Sequence, residues 1–156
     1  MSREGEVREI CERCGAQVRT WQRAAVTVDM LIQVDRRLVL VYRKNDPVAW
    51  ALPGGYCNYG ERLEDAARRE ALEETGLELN GLEQFHTYSE PDRDPRQHSV
   101  STVFLARGRG TPRAGDDAGE VGLLDPFTEV PHPLAFDHSR IVRDYVEFLK
   151  TGRRPG

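Results

Sequence analysis

Apolar residues fall in short blocks along the chain, and their period changes from block to block. Residues 24–34, AAVTVDMLIQV, and 36–44, RRLVLVYRK, are rich in β-branched and aliphatic residues. The polar VDRR where they meet suits a hairpin turn, so the two blocks are predicted to be paired strands. Residues 45–55, NDPVAWALPGG, give a turn, a short strand and a glycine break. A helix is predicted over 63–75, stopped by Gly76 in the position where helices take a left-handed residue. Beyond it, LELNGLEQFHTYSE contains strand-like material, DRDPRQ is a polar loop, and HSVSTVFLARG is another strand. GRGTPRAGDDAGE, rich in Gly and Asp, is expected to be a loop. In FDHSRIVRDYVEFLK, residues Ile141, Tyr145, Val146 and Leu149 recur at helical spacing, which predicts a C-terminal helix. Strands, helix, strands, helix, without an internal repeat, argue for an α+β or layered α/β sandwich.

The central helix breaks its own pattern. At about 100° per residue, Leu63, Ala66, Ala67, Glu70, Glu73 and Glu74 fall on one broad face. Asp65, Arg68, Arg69, Leu72 and Thr75 fall on the other. Three carboxylates therefore share a stripe with residues that should pack inward. Half-buried like charges repel and raise the free energy unless something neutralises them. A hard divalent cation does so, since Mg²⁺ prefers carboxylate oxygen and completes its shell with water and substrate phosphate. The i, i+3, i+4 spacing brings the three carboxylates within reach of one small site. The ordinary reading of EALEE is a solvated face paired with arginines, as Arg69 and Glu73 could be. The preceding loop shifts the balance. Gly54 and Gly55 allow a tight, open turn, and Gly60-Glu61 adds a second turn and another acid. An acid-rich helix behind a glycine loop suits phosphate plus metal.

Composition narrows the setting. A chain of 156 residues suits one compact domain. Its parts are expected to be a short N-terminal segment over 1–20, a main domain over 21–150 and a tail over 151–156. The net charge of −4 gives no electrostatic case for coating a nucleic acid polymer. No apolar run approaches a membrane span, and the N-terminus has no signal-peptide core. Three cysteines are too few for a disulfide framework, so a reduced, cytoplasmic protein is expected.

The stretch over 55–77 resembles the signature of the Nudix hydrolases, G-x5-E-x7-R-E-U-x-E-E-x-G-U, where U is a bulky aliphatic residue. It is carried here by Gly55, Glu61, Arg69, Glu70, Ala71, Glu73, Glu74, Gly76 and Leu77. Every spacing matches, and the one departure is Ala71, where a larger aliphatic is usual. The resemblance implies an α/β/α sandwich with a mixed central sheet and flanking helices. It implies Mg²⁺ or Mn²⁺ held mainly by Glu70, Glu73 and Glu74, with Glu61 and the Gly55 carbonyl in support. Arg69 is then an orienting residue. The implied reaction is hydrolysis of the diphosphate in a nucleoside diphosphate linked to another moiety. The general base is left open among a helix glutamate and the acids of AGDDAGE, namely Asp116, Asp117 and Glu120, with Glu120 and Asp117 preferred. A homodimer is a family expectation only.

Further segments narrow the resemblance. YSEPDRDPRQHSVSTVFLA, PLAFDHSRI and WALPGG are similar to segments of the subgroup assigned as ADP-ribose pyrophosphatases. Gln97 departs from it, standing where glycine is common. The implied substrate is ADP-ribose, cleaved to AMP and ribose 5-phosphate. Arg93 and Arg96 are candidates for phosphate contacts, and Tyr88, His86 or Phe136 for stacking on a purine. The alternatives are a nucleoside triphosphate pyrophosphohydrolase that clears oxidised nucleotides, or a non-catalytic ADP-ribose sensor. Cys11 and Cys14 form a C-x-x-C pair, but no second pair exists to close a zinc site, so intrachain zinc is not expected. A reduced pair, a redox pair or a metal shared across a dimer stay open.

Overall fold

The computed structural model describes residues 6–115 and 118–156. Eleven elements follow in chain order. They are β1 (Glu6–Ile10), β2 (Gln17–Trp21), β3 (Ala25–Val34), β4 (Arg37–Arg43), β5 (Trp50–Ala51), β6 (Gly54–Tyr56), α1 (Leu63–Thr75), β7 (Glu78–Tyr88), β8 (Ser99–Arg109), β9 (Ala118–Leu124) and α2 (His138–Thr151). β1 and β2 form a separate antiparallel hairpin. The other strands make one mixed sheet in the order β5-β4-β3-β8-β7, with β6 on β3 and β9 on β4. Its centre is the parallel pair β3–β8, in register from Ala25 with Ser99 to Gln33 with Arg107.

β3 sets the layers. Alternate side chains of a strand face opposite sides of the sheet. Val28, Met30 and Ile32 pack with Ala66, Ala67 and Ala71 of α1 and with Phe104 and Ala106 of β8. Leu31 packs on the other side with Val103, Leu38 and Leu40 and with Ile141, Val142 and Tyr145 of α2. The sheet is thus covered by one helix on each face, the α/β/α sandwich that was expected. The small alanines bring α1 close to the strands. The β3–β4 turn has Asp35 and Arg36 both at positive φ, 48° and 65°, as a two-residue hairpin turn of type I′ requires. α1 has the bounds expected, and Gly76 (φ 68°) closes it by donating its N–H to the Leu72 carbonyl.

Two expectations need correction. The helix wheel put Glu73 inside and Thr75 outside. Instead Thr75 is fully buried, its hydroxyl donating to the Ala71 carbonyl, while the Glu73 side chain is 58% exposed. The last three residues of the Gly- and Asp-rich segment, 118–120, are not loop but the start of a strand. It is β9, whose Glu120 lies opposite Tyr42. The N-terminal segment contains the β1–β2 hairpin, with Cys11 and Cys14 in its turn. Among the described residues no helix is long and apolar enough to cross a membrane.

Candidate active site

Two glycines bring the sheet against the carboxylates of α1. In β6, Gly54 lies opposite Asp29 and Gly55 opposite Val28. A Cβ on Gly54 would stand 2.2 Å from the Val28 carbonyl oxygen, and one on Gly55 would stand 2.4 Å from Cδ of Glu70. Gly54 has no room for a side chain, because the backbone of β3 blocks it, and at Gly55 one fits only if the Glu70 carboxyl moves away. The Gly54 N–H donates to Glu74 Oε2 at 3.0 Å. Burial pushes the Glu74 carboxyl up to about 7, despite that hydrogen bond. Burial also raises Glu70, although Arg69 opposes it.

Arg69 is the hub on the outer side. Its Nε and Nη2 donate to the two oxygens of Glu61, both at 2.8 Å. Its Nη1 donates to Glu70 at 2.6 Å and to Glu73 at 3.3 Å, and Nη2 also reaches the Tyr56 carbonyl at 3.0 Å. The Arg69 bonds, helped by the Asn58 N–H, hold Glu61 down at about 2. One guanidinium thus orients three of the four expected acids, while Glu74 is held from the backbone of the glycine turn.

Behind the turn lies a buried charge network. Asp29 accepts from Ser101 Oγ at 2.5 Å and from Arg93 Nη2 at 3.4 Å, and faces His138 Nε2 at 3.3 Å. His138 Nδ1 accepts the Leu52 N–H at 2.9 Å, so its proton sits on Nε2, toward Asp29. Arg93 also donates to both oxygens of Asp137, at 2.7 and 3.0 Å, and to Ser99 at 3.0 Å. Burial alone would push Asp29 up, but His138, Arg93 and Ser101 together bring it below the usual carboxylate range. The network fixes the path of 52–54, and with it the N–H that holds Glu74.

A cavity of about 360 Å³ opens over these groups, within the range of small-molecule sites. Of the residues singled out in the sequence, Gly55, Arg69, Glu70, Arg93, Arg96 and Phe136 line it together with Glu74. Glu61, Glu73, Glu120 and Tyr88 are not in its lining. Tyr88 is 1% exposed and packs under α2, its hydroxyl donating to Asp144 at 2.9 Å, so no ring face is open to a purine. Arg93 is spent on Asp29 and Asp137, which leaves Arg96 as the more open guanidinium. Asp117 lies outside the described residues. The sequence reading missed Asp29, Arg43, Asp94 and His138, all of which line the cavity. Asp29 had a signal of its own, a lone acid inside the apolar run VTVDMLI, while Asp94 and His138 lie in the segments DRDPRQ and PLAFDHSRI without having been singled out there.

Among the described residues no three His, Cys, Asp or Glu side chains are gathered tightly enough to form a ready metal cluster. Arg69 supplies the positive charge there instead. The chemistry of the donors still fits a hard dication. They are carboxylates beside a backbone turn, and burial raises the proton affinity of two of them, Glu70 and Glu74.

The model of the NUDIX domain matches residues 21–145. The chain belongs to the NUDIX family. It is a Nudix hydrolase, an enzyme acting on phosphoric anhydrides. It is 43% identical over 133 residues to an ADP-ribose pyrophosphatase of Methanocaldococcus jannaschii, covering 83% of this chain and 78% of that protein. A MutT/nudix family protein from Enterococcus faecalis superposes with a TM-score of 0.73 at 32% identity, covering 86% of this chain and 66% of that one. The NUDIX domain of Shewanella oneidensis NrtR, solved with ADP ribose, gives a TM-score of 0.72 at 27% identity, covering 83% of this chain and 90% of that one. This Nudix chain is thus similar both to an enzyme and to a domain that binds ADP ribose.

Proposed function

We propose that the protein hydrolyses the diphosphate linkage of a nucleoside diphosphate joined to a second moiety, and that ADP-ribose is cleaved to AMP and ribose 5-phosphate. The observation that carries this is the pairing of Gly54 and Gly55 with Glu74 and Glu70. Carboxylates are pressed against a side-chain-free stretch of β6 at the mouth of a cavity, with their charge only partly compensated. The substrate class is supported by the similarity to the archaeal ADP-ribose pyrophosphatase.

Glu70, Glu73 and Glu74 would hold Mg²⁺ or Mn²⁺, with Glu61 and the Gly55 carbonyl in support. When bound, the metal neutralises the diphosphate and makes a water more acidic. The protein's own groups do the rest. Arg69 keeps Glu61, Glu70 and Glu73 in fixed rotamers, so little reorganisation is needed as charge develops. A glutamate of α1 is proposed to take the proton from the attacking water. The Asp29–His138–Arg93 network holds the turn against which Glu74 is aligned.

Product analysis on a panel of nucleotides with Mg²⁺ tests the reading. AMP and ribose 5-phosphate from ADP-ribose are expected, with kcat/KM well above that for other nucleotides. Comparable or better kcat/KM on several unrelated nucleotides would overturn the ADP-ribose assignment. Pyrophosphate release from an oxidised nucleoside triphosphate would support the triphosphate reading instead.

A further inference from the structure

One wall of the cavity carries positive charge that the fold leaves only partly compensated. Arg43, at the end of β4, places its guanidinium carbon 4.9 Å from the ring centroid of Phe136, and Arg96 places its own 4.8 Å from the same centroid. Arg43 donates from Nε to the Pro47 carbonyl at 3.1 Å and from Nη2 to the Asp46 carbonyl at 3.3 Å. These are neutral acceptors, and among the described residues no carboxylate forms an ion pair with it. Arg96 is paired with Asp94, at 2.8 and 3.0 Å, yet its side chain stays 38% exposed. Burial and then the neighbouring Arg96 charge pull the Arg43 pKa below its ordinary value.

The ring between them is held at a cost. Phe136 has φ 57°, the left-handed region that a residue with a Cβ rarely adopts. Its neighbours fix it there. The Ala135 N–H donates to the Trp50 carbonyl at 2.8 Å, and Asp137 is clamped by Arg93. The strained residue presents its ring to the cavity, where it aligns two guanidinium groups. Nothing in the packing of the core requires two like charges on one ring.

We propose that Arg43 and Arg96, aligned by Phe136, form an anion subsite that binds phosphate directly, without a metal. This rests on the functional reading only in sharing its cavity, since phosphate binding can be measured without turnover. The carboxylates of α1 repel a phosphate until they are neutralised. Arg69 and Arg93 also line the cavity, but each is already paired with two or more carboxylates, so metal-free affinity for phosphate is expected from the arginine wall. Arginine suits the task because its planar fork matches two phosphate oxygens at once. The ligand class is the diphosphate portion of a nucleotide, and Phe136, with arginines over its ring, serves as their platform instead of stacking on a base.

Titration calorimetry of the full chain in EDTA, with inorganic pyrophosphate as the probe, tests this. Wild type should bind, and Arg43→Gln should weaken Kd by about tenfold or more. Arg43→Lys should recover part of the loss, since charge returns without the fork. Arg96→Gln, at an open position, should also weaken binding and covers the case in which an Arg43 variant does not fold. Added KCl should weaken wild-type binding. No measurable binding by wild type, or a Kd unchanged in Arg96→Gln and in every folded Arg43 variant, would overturn the proposal. If ADP-ribose is not hydrolysed but pyrophosphate still binds through Arg43, the functional reading fails while this one stands.

Discussion

A methyl group at Gly55 should separate folding from function. Built on the existing backbone, the Cβ of Gly55→Ala would lie 2.4 Å from Cδ of Glu70 and 2.5 and 2.6 Å from its two oxygens. Ordinary contact begins near 3.4 Å, so the carboxyl must retreat by about 1 Å. It can retreat, because it is the far end of a flexible side chain, and Gly55 is not at positive φ. The change in stability should therefore stay within about 1 kcal/mol. Turnover is another matter, since a displacement of about 1 Å at a reacting centre lowers rates about 100-fold, or about 3 kcal/mol of transition-state stabilisation. The assay is kcat on ADP-ribose at saturating Mg²⁺, with a thermal melt of the same preparation. A variant that melts like wild type and keeps kcat within about threefold would refute the idea that the close approach of Gly55 sets the Glu70 carboxylate.

Other predictions come from the same contacts. Arg93→Leu takes the guanidinium from Asp137 and leaves Asp29 with only Ser101 and His138, and should cost about 3–5 kcal/mol, lowering Tm by about 10 °C in a melt. Glu74 titrates near 7 in the folded chain against an ordinary 4.5, so between those values the folded state keeps a proton that the unfolded state has released. Metal-free stability should fall as pH rises through that window, by at most about 3 kcal/mol from this group. Glu74→Gln should remove that part of the slope and melt above wild type at pH 8 in EDTA; an unchanged slope would contradict the burial of Glu74. Tyr88→Phe loses one hydrogen bond to Asp144 and should cost about 1 kcal/mol with KM unchanged, whereas a raised KM would return Tyr88 to the substrate site.

The legible parts of the fold were those set by local rules. α1 could be bounded because Gly76 supplies the left-handed stop, and the β3–β4 hairpin because two apolar runs flank a polar turn. β9 was hidden because its two glycines follow a stretch with a loop's composition, and it is a strand only by pairing with β4, far away in the chain. Glu73 was misplaced because a broad wheel face treats neighbours alike, while only Ala66, Ala67, Ala71 and Thr75 of α1 are buried. Glu70 and Glu74 were readable from spacing, but their restraints were not. Glu74 is held by a backbone N–H from 20 residues earlier, and Asp29 by Arg93, 64 residues on. The same distance in sequence hid Arg43, which looked like the polar end of a strand, and made Tyr88 and Arg93 look available when the core had already taken them.

The central claim is that the inward carboxylates of α1 form a metal-dependent hydrolytic site. It is tested most directly by ADP-ribose hydrolysis with Mg²⁺, measured for wild type, Glu70→Gln and Glu74→Gln, each shown folded by its melt. The account predicts AMP and ribose 5-phosphate from wild type, no turnover in EDTA, and a loss of at least about 100-fold in each variant. Near-normal hydrolysis by either folded variant would contradict it.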